Sequence, residues 1–168
     1  RKAWFTIFII AVLCVVVRTG DRIKLDDSAM VMVAGLDLSE NGQLKVQSLV
    51  LSFNEAAKVN EIPLSATAHS LRQARSKFNF QSNGAVVAGK LQIVLVSKKL
   101  LQSKPLLPYV DVIYRDPKIS NNALLVVCDG SIEQVIHMKL ENQPIITEYL
   151  RKLIHLGFIE DVTVETTL

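Results

Sequence analysis

Cysteine and histidine are scarce in this chain, and the settings of the few present narrow its chemistry. The two cysteines, Cys14 and Cys128, lie in unlike surroundings, one in a long apolar run and the other in a β-branched stretch. Neither a disulfide between them nor a redox motif is expected, and Cys128 reads as a small core residue. His69, His137 and His155 are scattered with no second His or Cys at ligand spacing, which leaves a zinc site without support. There is no Gly-x-Ser-x-Gly, no His-Glu-x-x-His and no phosphate loop. The carboxylates Asp26-Asp27 and Glu160-Asp161 are adjacent, so in an extended chain they point to opposite sides instead of into one pocket. The reading is of a chain that is not an enzyme and that needs no cofactor and no metal.

Excess charge is also missing once one segment is set aside. The formal charge is +3, but Arg1, Lys2 and Arg18 flank a single apolar run, and without them 16 basic side chains face 16 acidic ones. A neutral body excludes the basic face that displaces counterions from phosphates, so no nucleic-acid partner is expected. Ala3 to Val17 carries no charge and follows Arg1-Lys2, the arrangement of an export signal. Its fifteen residues reach roughly 22 Å as a helix, against a hydrocarbon core of about 30 Å. The run therefore fits both a signal-peptide core and a thin spanning helix, and residues 1–20 are read as signal peptide or membrane anchor. Lipid attachment at Cys14 is not expected, because bulky Leu13 stands where a lipoprotein peptidase needs a small residue.

The rest of the chain, 168 residues in all with 49% hydrophobic, is long enough for one domain with its own core. Residues 29–38 and 44–53 are β-rich runs joined by Ser39 to Gln43, and Asn41-Gly42 supplies the positive φ of a hairpin turn. Leu64, Ala68, Leu71, Ala74 and Phe78 fall near a 3.6-residue spacing, which predicts an amphipathic helix. Its other side carries Arg72, Arg75 and Lys77, read as a solvated basic face. Residues 79–89 read as a loop and 91–97 as a buried strand. A helix is expected from Pro105 or Pro108, closed by Arg115-Asp116-Pro117, then a strand over 123–128. Ser131 caps a short helix over 132–138. Pro144 opens a longer one with Ile146, Leu150, Leu153 and Ile154 inward and Gly157 as its stop. The tail from Phe158 is β-rich and reads as truncated. The expected fold class is α+β (mixed α/β), with a central antiparallel or mixed sheet of about four to six strands and flanking helices.

Four stretches taken together resemble the N-terminal domain of the Ger(x)C proteins, the lipoprotein C subunits of spore germinant receptors. Asp21-Arg22 and the hairpin AMVMVAGLDLSENGQLKVQSLVL are similar to that family's opening. Gly89-Lys90-Leu91-Gln92-Ile93-Val94-Leu95-Val96 resembles its Gly-His-Leu strand, with Lys90 in the histidine's place. Tyr114-Arg115-Asp116-Pro117-Lys118-Ile119, with ALLVV after it, resembles its Arg-Asp-Pro segment. The helix SLRQARSKF and the segment PIITEYLRKL take the places of two family helices. The likeness covers residues 21–156, with 157–168 read as the start of a further segment. Thr19-Gly20 runs directly into Asp21, so the lipobox cysteine is absent and an uncleaved helix takes its place as anchor.

The resemblance implies a non-enzymatic, membrane-associated subunit on the outer face of the cytoplasmic membrane, the inner membrane of the spore. Its implied partners are the integral membrane A and B subunits of the receptor, in assembly or signalling of nutrient-triggered germination. The interaction residues it marks are Arg115, Asp116 and Pro117. Arg115 offers five N–H donors to a partner carboxylate or carbonyl, and Asp116 caps the chain after Pro117. A helix-ending Arg and a turn-forming Asp-Pro also serve the fold alone. An exported solute-binding or other cell-envelope lipoprotein is the alternative.

Overall fold

A computed structural model describes residue 4 and residues 28–52, 60–82, 85–119, 122–138 and 145–159. The expectations for the leader, the Asp21-Arg22 opening and the tail after residue 159 lie outside the described residues. Six strands form one mixed sheet in the order β3-β2-β1-β5-β6, with β4 also paired to β1. The strands are β1 (Ser28–Leu38), β2 (Leu44–Ser52), β3 (Asn60–Ala68), β4 (Ala85–Val87), β5 (Ile93–Ser97) and β6 (Leu124–Cys128). Among the described residues five helices accompany them: α1 (Leu71–Gln81), α2 (Lys98–Ser103), α3 (Leu107–Tyr114), α4 (Ile132–Ile136) and α5 (Ile146–Ile159). The mixed α+β class and the strand number are as the sequence implies.

The β1–β2 hairpin forms for the reason its turn announces. Gly42 has φ +70°, a left-handed conformation cheap only without a Cβ, and its N–H donates to the Ser39 carbonyl at 2.9 Å. Pairing then runs antiparallel from Leu38–Leu44 to Ala29–Ser52, with an irregularity between Val31 and Val33. That bulge at Met32 shifts the alternation, so Ala29 and Val31 share a face with Ala34, Leu36 and Leu38, while Val33 faces the other way. The Met32 carbonyl is not lost to the sheet, since it accepts the Gln92 N–H at 2.9 Å.

Residues 60–68 correct the helix expected from Leu64. They form strand β3, and α1 begins only at Leu71. Leu64 and Ala68 satisfy a four-residue step and a two-residue alternation equally, and the burial of Leu64, Ala66 and Ala68 decides for the strand. Pro63 is tolerated because, among the described residues, β3 pairs only with β2 and is an edge strand. Ser70 then caps α1, its Oγ accepting the Gln73 N–H at 3.3 Å, while Gln73 Oε1 accepts the His69 N–H at 2.8 Å.

Beyond β1 the sheet is parallel. β4 pairs with Ser28–Met30 and β5 with Val33–Leu36, so two short strands share one edge of β1 in succession. The expected loop over 79–89 is thus corrected: α1 runs to Gln81 and Ala85–Val87 is a strand. β5 is buried at all five positions, as an uninterrupted apolar run covered on both faces should be. Its last residue, Ser97, caps α2 by accepting the Leu100 N–H at 3.1 Å, a helix of six residues that the sequence pattern does not reveal. α3, the Pro-opened helix, spans 107–114 as expected.

The sheet divides the core in two. On one face α1, α2 and α3 bury Ala74, Phe78, Leu100 and Ile113 against Val31, Leu36, Val46 and Val94. On the other, Ile132 and Ile136 of α4 and Leu150 of α5 pack on Val33, Leu49, Ile93 and Leu95. Ser131 caps α4 as expected, accepting the Gln134 N–H at 3.3 Å. α5 starts on a carboxylate from β3: Glu61 accepts the N–H groups of Ile146 and Thr147 and the Thr147 hydroxyl, at 2.6, 3.2 and 2.8 Å. Anionic oxygens on free N–H groups at a helix start satisfy those donors and the dipole together. Leu153 is 53% exposed instead of inward, and α5 continues through Gly157 to Ile159. A glycine in a final turn costs about 1 kcal/mol, too little to stop a helix held by packing.

Candidate functional site

The face of the sheet covered by α1 and α3 is not fully closed. Between the two helices lies a cleft of about 540 Å³. Its floor is Val31, Ala34 and Leu36 of β1, Val46 and Ser48 of β2 and Val86 of β4. Leu71, Ala74 and Phe78 of α1 form one wall, at i, i+3 and i+7. Val112 and Ile113 of α3 form the other, with Ile119 beyond. Ser48 does not leave a polar group in this floor, because its hydroxyl donates to the Val33 carbonyl at 3.1 Å.

The rim is charged, and it holds most of the residues the sequence marks. Arg72 and Arg75 stand on the α1 side; Asp111, Arg115, Asp116 and Pro117 stand on the α3 side. Pro117 ends α3 by denying it a further N–H, and Asp116 orders the turn after it. Its Oδ1 accepts the Lys118 N–H at 3.0 Å and its carbonyl accepts the Ile119 N–H at 3.0 Å. The Asp116 Oδ2 takes the Arg75 Nη1–H at 3.2 Å, so one carboxylate both shapes the turn and ties it to α1. With Arg75 nearly half exposed, that bridge is worth less than about 1 kcal/mol.

Arg115 behaves differently. Its side chain is 80% exposed and its Nε–H donates to Asp111 Oδ1 at 3.0 Å, a pairing one helical turn apart. The remaining guanidinium donors make no hydrogen bond among the described residues. The basic face of α1 also resolves into unlike members. Lys77 donates to the Thr67 carbonyl at 2.6 Å and Arg75 is committed to Asp116, whereas the exposed Arg72 guanidinium has no partner among the described residues. Asp111 and Asp116 are each matched by an arginine, so among the described residues of the rim Arg72 is the one uncompensated positive charge.

Two more of the family-like stretches meet at the cleft's end. An alanine Cβ at Gly89 would lie 3.0 Å from the Lys118 carbonyl, so the Gly89-Lys90-Leu91 strand entry packs directly on the turn after Arg115-Asp116-Pro117. Sequence reasoning names Arg115, Asp116 and Pro117, but it places Arg72 and Arg75 merely in solvent and does not foresee the floor. Nothing local signals the meeting of Arg75 with Asp116, 41 residues apart. Among the described residues no group of three or more His, Cys, Asp or Glu is arranged to hold a metal ion, and no helix is long and apolar enough to cross a membrane.

The model of the spore germination protein N-terminal domain matches residues 21–168. The chain belongs to that family. Searches of curated proteins and of solved structures find no match. Membership places this germination domain in spore germination and supports a role in the germinant receptor together with other subunits. The family is one of receptor subunits and not of known enzymes.

Proposed function

We propose that this chain is a non-enzymatic, membrane-tethered subunit of a spore germinant receptor, and that the α1/α3 cleft receives a segment of one of the integral membrane subunits, A or B. The observation that carries the reading is the convergence of the Arg-Asp-Pro turn and the basic helix on one apolar floor, with Arg72 and Arg115 turned outward. Apolar side chains of the partner segment fill the floor, and an acidic residue beside them meets Arg72 and the spare donors of Arg115. Asp116 and Pro117 hold the rim in shape. The apolar run Ala3–Val17 supplies the tether and puts the domain on the outer face of the spore's inner membrane.

Co-purification from spore membranes tests it. The wild-type chain brings down the A and B subunits, and Arg72→Glu with Arg115→Glu loses them while the chain itself stays at its normal level in the membrane. Wild-type chain that recovers neither integral subunit overturns the assembly reading.

The cleft's volume favours a second reading, because about 540 Å³ lies within the usual range for small-molecule sites. Here the chain is an exported solute-binding lipoprotein-like protein. A germinant amino acid or sugar at a hundred times its Kd raises stability by about 2.7 kcal/mol, which thermal unfolding detects. A melting temperature unmoved by either class of solute removes this alternative.

A further inference from the structure

β1, β4, β5 and β6 are parallel; Ser28 and Ala85 are level at the start of β1, and Ile93 and Leu124 enter the sheet from the same direction five residues further along, opposite Val33. β3 has the same direction through two antiparallel steps, which puts Glu61 and the helix start it caps at that end too. From there α5 crosses to the entries of β5 and β6, where it forms with Gly89–Gln92 an open recess of about 810 Å³. Lys90, Arg151 and Lys152 stand exposed around it, without an ion pair among the described residues, and Glu148 is its single carboxylate. On the outer side of α5, Leu153 and Leu156 are 53% and 55% exposed.

We propose that this end of the domain rests on the bilayer surface, with Lys90, Arg151 and Lys152 among anionic phospholipid headgroups and Leu153 and Leu156 at the acyl boundary. On α5 Lys152 lies one turn from Leu156, and a basic flank beside exposed leucines is the pattern of an interfacial surface. The recess is too open and too poor in buried polar groups to enclose a soluble anion. The connection to the leader points the same way. Only residues 18–27 separate Val17 from Ser28, and ten residues span at most about 36 Å, so a membrane tether holds the start of β1 within that distance of the bilayer. The proposal rests on the reading of Ala3–Val17 as tether, and its test separates the two.

The full chain, with Cys14 and Cys128 replaced by serine, carries a single reporter cysteine through His155→Cys beside the recess or Ser39→Cys at the far hairpin. It is mixed with phosphatidylcholine vesicles, with or without phosphatidylglycerol, floated, and labelled with a membrane-impermeant maleimide. Each basic residue at an anionic surface favours contact about fivefold, so three against one carboxylate give about 25-fold. Labelling at 155 should slow at least fivefold when phosphatidylglycerol is present, while labelling at 39 does not change. Lys90→Glu, Arg151→Glu and Lys152→Glu together should abolish the difference. Equal labelling at 155 in both lipids overturns the proposal even if the chain floats with both. Failure to float with phosphatidylcholine refutes the tether alone, since the patch is then read from flotation that needs phosphatidylglycerol and is lost in the triple variant; absence of that too refutes the patch.

Discussion

Replacing Gly35 by alanine isolates the contact that seats α4 on the sheet. Gly35 has no left-handed φ, so its backbone suits any residue, and the consequence of a side chain is purely a matter of space. The added Cβ would clash with Ile132 Cγ2 and lie 3.3 Å from Ile136 Cδ1 and 3.6 Å from Gln47 Cβ. Ile132 cannot turn away cheaply, because it is β-branched and fully buried. α4 must therefore lift, which is overpacking at about 1–3 kcal/mol, partly offset by the 0.4–1 kcal/mol or so that alanine gains by restricting the unfolded chain. A net loss of about 1–2 kcal/mol lowers the urea midpoint by roughly 0.5–1 M at a typical m-value. Adding Ile132→Ala removes the clashing methyl, so the double variant should lose at least about 1 kcal/mol less than the two single losses together. A midpoint for Gly35→Ala at or above wild type, or strictly additive losses, would refute the account of how α4 is held.

Three further outcomes are expected from the geometry. Glu61→Ala strips three hydrogen bonds from the start of α5 and strands the buried Thr147 hydroxyl, so stability should fall by about 1–3 kcal/mol with α5 amides exchanging faster; unchanged exchange there would contradict the cap. Gln47 is 1% exposed and neither polar atom of its side-chain amide has a partner among the described residues, so Gln47→Leu should raise the urea midpoint by the equivalent of about 1 kcal/mol, and a drop would mean that the amide is satisfied in solution. Lys45 donates to Glu133 at 2.6 Å, and this hydrogen bond holds the Glu133 carboxyl below its usual range. A folded-state pKa below the unfolded one gives stability that is present above the unfolded value near 4.5 and is lost as pH falls through the depressed one. For so exposed a pair the effect is under about 1 kcal/mol, seen as a smaller difference in urea midpoint between pH 7 and pH 3 in Glu133→Gln than in wild type.

The elements legible in the sequence are those whose cause is local. The β1–β2 hairpin is written in Asn41-Gly42 and two alternating runs, α3 in its prolines, and α4 in Ser131. β3 reads as a helix because Leu64 and Ala68 fit two periods at once, and only the neighbouring β2 chooses between them. α2 has six residues, too few for a period to show, and β4 has three, which are a strand only because β1 offers them a partner. Leu153 fits the apolar stripe of α5, yet the sheet receives Leu150 and Ile154 and leaves Leu153 outside. The Arg-Asp-Pro turn is legible by resemblance, and its place on a cleft depends on packing that no single segment encodes.

The two recesses are not independent of each other. Leu91 lines both, Ala88 faces the cleft, and Gly89, Lys90 and Gln92 face the open end, so one short connection before β5 is the partition between them. Its position is set by two contacts that leave little slack: Gly89 against the Lys118 carbonyl on one side, and the Gln92 N–H on the Met32 carbonyl at 2.9 Å on the other. A side chain forced into position 89 should then weaken subunit recovery and the lipid-dependent protection at position 155 together, whereas Arg72→Glu should affect recovery alone.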